Sequence, residues 1–271
     1  MSSPAPTAVP LSAWEALALV ALSFAALATF GAAWSARGLG GTVVAELICV
    51  IAPALVVAWG RRVPRAALGL GHARYAAVPR WYSAVPWLAI AGGLVAGAGA
   101  FYLVAAGVEP WMERLWPTPA ALRQSLQRLV IPATGARPIA VDLVALALVP
   151  AVAEELLFRG VVWGALERRI GVAATLVVTS ILFGLYHGSL YRFVPALAGG
   201  LLLGAVRAGS RALLPSVAFH FANNAGVIVA LHLGYDSPPA TFAPVAAAAA
   251  ASAIGALLIR SGRCALSPSP S

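Results

Sequence analysis

Long apolar runs alternate along this chain with short turns that hold most of its arginines. A helix needs about 20 consecutive apolar residues to cross the hydrocarbon core of a bilayer. By that standard the runs at 12–34, 42–59, 85–108, 139–166, 171–187, 193–206, 213–232 and 240–259 predict eight transmembrane helices. The sixth is short for a span, which predicts that it is tilted, broken or buried. The longest connection, 109–138, has a different pattern. Leu122, Leu126 and Leu129 share one helical face, with Arg and Gln opposite, and Trp111 and Trp116 flank them. This predicts an amphipathic helix at the membrane interface, a surface connector in preference to a lid. The fold class is therefore all-α, a polytopic membrane helical bundle of about eight transmembrane helices. Residues 1–138 form N-terminal helices plus the interfacial loop, 139–232 a helical core, and 233–271 a last span with a Ser/Pro-rich tail predicted to be disordered.

Composition narrows the function classes. The chain is 61% hydrophobic and 10% charged, against about 25% charged in soluble domains, and its mean hydropathy is +0.88. The formal charge is +9, and all 18 basic residues are Arg. They lie in turns between apolar runs, so the basic balance does not point to nucleic acid; the partner it implies is the lipid bilayer. Eleven of the 18 fall on the side of the N-terminus and six on the other, with Arg159 inside a span. That bias predicts a cell-membrane protein with both termini cytoplasmic. Two cysteines, Cys49 and Cys264, exclude a disulfide framework and a Cys-rich zinc site.

Against this background, three polar pairs stand out. Ionisable groups in hydrocarbon cost roughly 2.5–3.5 kcal/mol each on insertion scales. Yet Glu154, Glu155 and Arg159 lie within one apolar run. On a helix, Glu155 and Arg159 are i and i+4 and share a face; Glu154 is turned about 100° away. A buried structural pair accounts for Glu155 and Arg159 and leaves Glu154 unexplained, free to act as a general acid or base. In the next run Phe183 and His187 are again i and i+4. The turn between the runs is near Arg169–Gly171, with Glu154 and His187 about equally far from it, so an antiparallel hairpin brings them to one depth, where they can share a water. A third pair, His220 and Asn224, offers two hydrogen-bond donors on one face, enough for an oxyanion site or for interhelical polar contact. Asn223 points elsewhere. Glu15, Glu46 and Asp142 read as structural residues near span ends or facing the bundle.

Glu-Glu-x-x-x-Arg, Phe-x-x-x-His and His-x-x-x-Asn, in that order and in successive apolar helices, resemble the CPBP family, the CAAX-prenyl-protease type II and bacteriocin-processing (Abi-like) intramembrane endopeptidases. The resemblance spans about 139–231. It implies a glutamate-dependent intramembrane protease acting on a membrane-associated protein or peptide. Glu154 would activate water with His187, Glu155 and Arg159 would support it, and His220 with Asn224 would form the oxyanion site. It implies no cofactor. Zinc would have to gather its ligands from separate helices, because no His-Glu-x-x-His motif is present. Two other classes remain: a proton-coupled transporter that uses the buried Glu and His, and a non-catalytic membrane scaffold or chaperone.

Overall fold

The structure, a computed structural model, describes residues 11–70, 85–130, 137–234 and 241–261, and every element among them is helical. In chain order the helices are α1 (Ala13–Ser35), α2 (Leu39–Gly60), α3 (Val85–Leu103, continued by Val104–Val108), α4 (Glu109–Leu115), α5 (Ala120–Val130), α6 (139–170), α7 (172–186), α8 (Leu190–Ser210), α9 (Leu214–His232) and α10 (Phe242–Ser261). Six of these stretches are long and apolar enough to cross a membrane: Ala13–Ser35, Leu39–Gly60, Trp87–Leu115, Leu190–Ser210, Leu214–His232 and Ala243–Ser261. The chain is a multi-pass membrane protein.

The eight expected spans thus become six by length and composition. The two left out, α6 and α7, carry the Glu-Glu-Arg and Phe-His motifs. Their charge and shortness remove them from a simple hydropathy count. The sixth run, expected to be short, is a helix of 21 residues that contains Pro195. The connector helix forms at Ala120–Val130 as the pattern predicts, although the side chains of Leu122, Leu126 and Leu129 lie outside the described residues. So does the tail 262–271, to which the disorder expectation applies.

Local chemistry explains the ends and bends. Ser12 and Glu15 form a reciprocal capping box at the start of α1: the Glu15 N–H donates to Ser12 Oγ at 3.1 Å, and the Ser12 N–H donates to Glu15 Oε2 at 2.8 Å. Glu15 also pairs with Arg61 at the end of α2. Gly171 takes φ 75° and ψ 170°, a conformation that favours glycine, and turns the chain from α6 into α7. Along α6, Leu156–Val162 is wound as a π-helix, and all seven of its residues are buried.

Two kinds of contact place the helices. Phe158 of α6 meets Phe183 and Tyr186 of α7, with ring centroids 5.4 and 5.2 Å apart. This fixes the register of the α6–α7 hairpin. By contrast, α3 is squeezed between α9 and α10 through glycines. A Cβ added at Gly93 would lie 2.3 Å from the Pro215 carbonyl oxygen, and one at Gly97 would lie 2.3 Å from that of Phe219. Lipid removes the hydrophobic drive between spanning helices, so close backbone approach at small residues supplies the contact. Trp14, Leu22, Phe30, Val56 and Leu257 are exposed on the outer surface, as lipid-facing residues are.

Candidate functional site

Helices α6, α7 and α9 bring most of the polar motif residues to one place. The Arg159 Nη1 donates to Glu155 Oε1 at 3.2 Å, and both side chains are fully buried. Only one guanidinium nitrogen reaches the carboxylate. Nη2 instead donates to the Gly200 carbonyl of α8 at 2.9 Å. One guanidinium therefore ties α6 to itself and to α8. Arg207 adds a second link, its Nε donating to the Arg159 carbonyl at 3.1 Å.

His220 of α9 sits against both glutamates. Its Nδ1–H donates to Glu155 Oε1 at 3.1 Å, and its Nε2 lies 3.9 Å from Glu154 Oε2. The start of α9 packs into the bundle on this side, with Leu213, Pro215 and Ser216 buried and Leu214 turned outward. A buried polar ring needs a partner, and Glu155 provides it.

His187 takes another arrangement. Its Nδ1–H donates to the Phe183 carbonyl one turn back, at 2.8 Å. That assignment leaves Nε2 with its lone pair free. Among the described residues no hydrogen bond joins His187 to Glu154. Phe183 packs against both histidines: its ring centroid lies 4.9 Å from that of His187 and 5.7 Å from that of His220, and the Arg159 guanidinium lies 4.6 Å over it. A phenyl face attracts the cation, so Phe183 is the packing hub on which Arg159 and both imidazoles rest.

These groups border a cavity of about 710 Å³. Phe183, His187, His220, Asn223 and Asn224 line it, and neither glutamate does. Glu154 is reached from the lining through His220, whose Nε2 lies 3.9 Å from its Oε2. Asn223, expected to point away, lines the same wall as Asn224. A cavity this wide subtends more of the α9 surface than the 100° between adjacent residues. The far wall comes from the connector. Glu113 accepts from the Thr118 N–H at 3.0 Å and pairs with Arg123, while Trp116 sets its ring edge against Tyr191 at 5.9 Å between centroids. The interfacial segment thus forms part of the cavity and is more than a connector.

Tyr186 of α7, packed against Phe158, is a buried polar residue that the sequence pattern does not mark. Asp142, by contrast, makes structural contacts, accepting from Arg137 Nε at 2.9 Å and lying 3.3 Å from His232 Nε2. Among the described residues no group of three or more His, Cys, Asp or Glu side chains is arranged to hold a metal ion.

Residues 136–226 match the family model described as type II CAAX prenyl endopeptidase Rce1-like. The match contains all seven motif residues, Glu154, Glu155, Arg159, Phe183, His187, His220 and Asn224. No curated protein and no solved structure matches the chain.

Proposed function

We propose that this chain, whose residues 136–226 match the Rce1-like type II CAAX prenyl endopeptidase family model, is an intramembrane protease of that kind that hydrolyses a peptide bond of a membrane-associated protein or peptide with a glutamate-activated water. The observation that carries this reading is the meeting, within the matched segment, of Glu154, Glu155, Arg159 and His220, the last of which lines a cavity.

Chemically, Glu154 accepts a proton from a water held between it and His187 Nε2, and the water oxygen attacks the scissile carbonyl. Negative charge then develops on the carbonyl oxygen. His220 Nε2 and the Asn224 amide donate to it. A donor role for Nε2 requires the doubly protonated ring, whose charge Glu155 and Glu154 both face. The proton held by Glu154 passes to the leaving amine as the C–N bond breaks. Glu155 and Arg159 hold His220 in place through the 3.1 and 3.2 Å contacts. Orientation with both termini cytoplasmic belongs to the same proposal, as does chemistry without a metal.

The test is Glu154→Gln, which removes the base and keeps the size. General-base assistance is typically worth ~10²–10⁴-fold, so cleavage should nearly vanish at normal membrane abundance. Protein termini compared between membranes carrying the wild type and the variant identify the substrate. Identical termini in the two would sink the proposal. Activity that survives extensive chelation agrees with it, and activity restored only by stoichiometric zinc overturns the metal-free part.

A further inference from the structure

The cavity bordered by the two histidines is not balanced in charge. Among the described residues, three permanently charged side chains line it: Glu113, Arg123 and Arg192. Glu113 and Arg123 pair with each other, and the Glu113 carboxylate also accepts the Thr118 N–H. Arg192 of α8 is left over. Its backbone N–H donates to the Ser189 carbonyl at 3.1 Å, but its guanidinium makes no hydrogen bond or ion pair with another described residue.

Near the end of a span, a long cationic side chain can extend along its helix and place its head at the membrane surface. Arg37, Arg211 and Arg260, each at or just past the end of a helix, are exposed in that way. Arg192, in the first turn of α8, is instead half-buried and forms part of the cavity wall. Its place is fixed on both sides. Gly188, with φ 61°, turns the chain from α7 into α8, so His187 stands before the turn and Arg192 after it. Tyr191 sets its ring edge against Trp116 of the connector at 5.9 Å between centroids, which ties the first turn of α8 to the far wall. The five residues from His187 to Arg192 span at most about 18 Å. The two side chains therefore address neighbouring stretches of one extended peptide.

A half-buried cation has given up part of its hydration, and a carboxylate that reaches it offers charge-assisted hydrogen bonds in return. The planar guanidinium fork matches a carboxylate in shape as well as in charge. We propose that Arg192 is a specificity-determining residue, whose guanidinium binds a carboxylate of the peptide that occupies the cavity. That carboxylate is either the chain-end group or an Asp or Glu side chain, since the recognition chemistry is the same. That the peptide is then cut rests on the proposed protease reading; recognition of its carboxylate does not.

The test is a binding titration of short, labelled apolar peptides against the purified full chain in neutral detergent, followed by fluorescence anisotropy. Glu154→Gln serves as the host, so that the peptides stay whole. One set pairs a free C-terminal acid with its carboxamide; a second walks Glu against Gln through the internal positions. In at least one set the anionic member should bind roughly 10–100-fold more tightly, as hydrogen bonds to charged groups imply. The set that shows the difference identifies the source of the carboxylate. Adding Arg192→Gln should abolish the preference, and Arg192→Lys should keep part of it. Arg192→Glu should invert it, so that a peptide with Lys in place of Glu binds better. The preference is a ratio measured on one protein, so a lower yield of folded material does not imitate its loss. Arg260→Gln, the control for overall charge, should retain it. No preference in either set, no binding of any peptide, a preference that survives Arg192→Gln, or one lost equally with Arg260→Gln overturns the proposal. So does a preference that anionic phosphatidylglycerol abolishes by competition, which would give Arg192 to a lipid phosphate. If the preference follows Arg192 while protein termini are identical in wild-type and Glu154→Gln membranes, the protease reading fails and the carboxylate site stands.

Discussion

Helix α9 faces two surfaces held by different physics. Toward α3 its backbone is in close contact with glycines, the Phe219 carbonyl oxygen lying 2.3 Å from where a Cβ at Gly97 would be. Toward α6 its contact is a hydrogen bond between two buried side chains, His220 and Glu155. The glycine seam sets how near α9 can come; the polar link sets which way it is rotated. Small residues give proximity without direction, because van der Waals contact is not directional. A hydrogen bond gives direction, and a long or bent one is weak. A site spread over α6, α7 and α9 needs both, which is why a polar cluster sits beside so tight a seam.

The largest effect should come from breaking the polar side. Arg159→Ala leaves Glu155 buried with only His220 to face it. Removing one partner of a buried pair costs about 3–5 kcal/mol. Membrane abundance and thermal stability should both drop sharply. Arg159→Lys keeps the charge and loses the two-directional reach to Glu155 and Gly200, so a partial loss is expected. An inactive Arg159→Ala protein with wild-type abundance and heat resistance would instead give Arg159 a direct part in the chemistry.

Next come the residues that the polar side aims into the cavity. Loss of one oxyanion donor typically lowers turnover ~10²–10³-fold. Asn224→Ala and His220→Ala should show that loss in kcat with KM nearly unchanged, since the interaction strengthens only in the transition state. Asn223 shares the wall, and its replacement by Ala should raise KM more than it lowers kcat. Equal kcat losses at Asn223 and Asn224 would mean that the face of α9 addressing the reacting carbonyl has been misassigned.

The seam is probed by Gly97→Ala. The new Cβ meets the Phe219 carbonyl at 2.3 Å, so α9 must shift. Overpacking of this kind costs about 1–3 kcal/mol. Because Phe219 precedes His220, part of the damage should appear in kcat. Gly107→Ala is the control, since nothing lies within 4 Å of its Cβ position. If both variants keep wild-type turnover, the seam does not position His220.

The same contrast explains what could be read from sequence. Apolar runs announce helices because each run is contiguous, and i, i+4 spacing announces shared faces because the helical period is fixed. Glu155 with Arg159 and Phe183 with His187 were legible for that reason, and so was the turn at Gly171. The meeting of His220 with Glu155 was not, because it depends on how deeply the first turn of α9 is enclosed, a property of its neighbours. Asn223 was misjudged because angular position on a helix says nothing about how wide the facing cavity is. A count by length and hydropathy alone passes over α6 and α7, where polar residues dilute hydropathy and where the candidate site lies.

The smallest effect is expected at a second Glu–Arg pair, which isolates burial from chemistry. Glu113 and Arg123 pair on the connector with side chains 40% and 54% exposed, whereas Glu155 and Arg159 are at 0%. The groups are the same and the surroundings are not. Exposed charges keep most of their hydration when unpaired, and salt screens what attraction remains. Arg123→Gln should therefore leave the melting temperature unchanged within error, at low and at high salt, while Glu155→Gln lowers it. The Glu113 carboxylate also accepts the Thr118 N–H at 3.0 Å, a bond that a Gln oxygen can keep, so Glu113→Gln should be equally mild. The connector contributes a wall to the cavity, so both surface variants are best scored on KM as well as stability. A melting-temperature drop at Arg123→Gln comparable to that of Glu155→Gln would show that the connector, and not the buried cluster, is what holds this end of the bundle together.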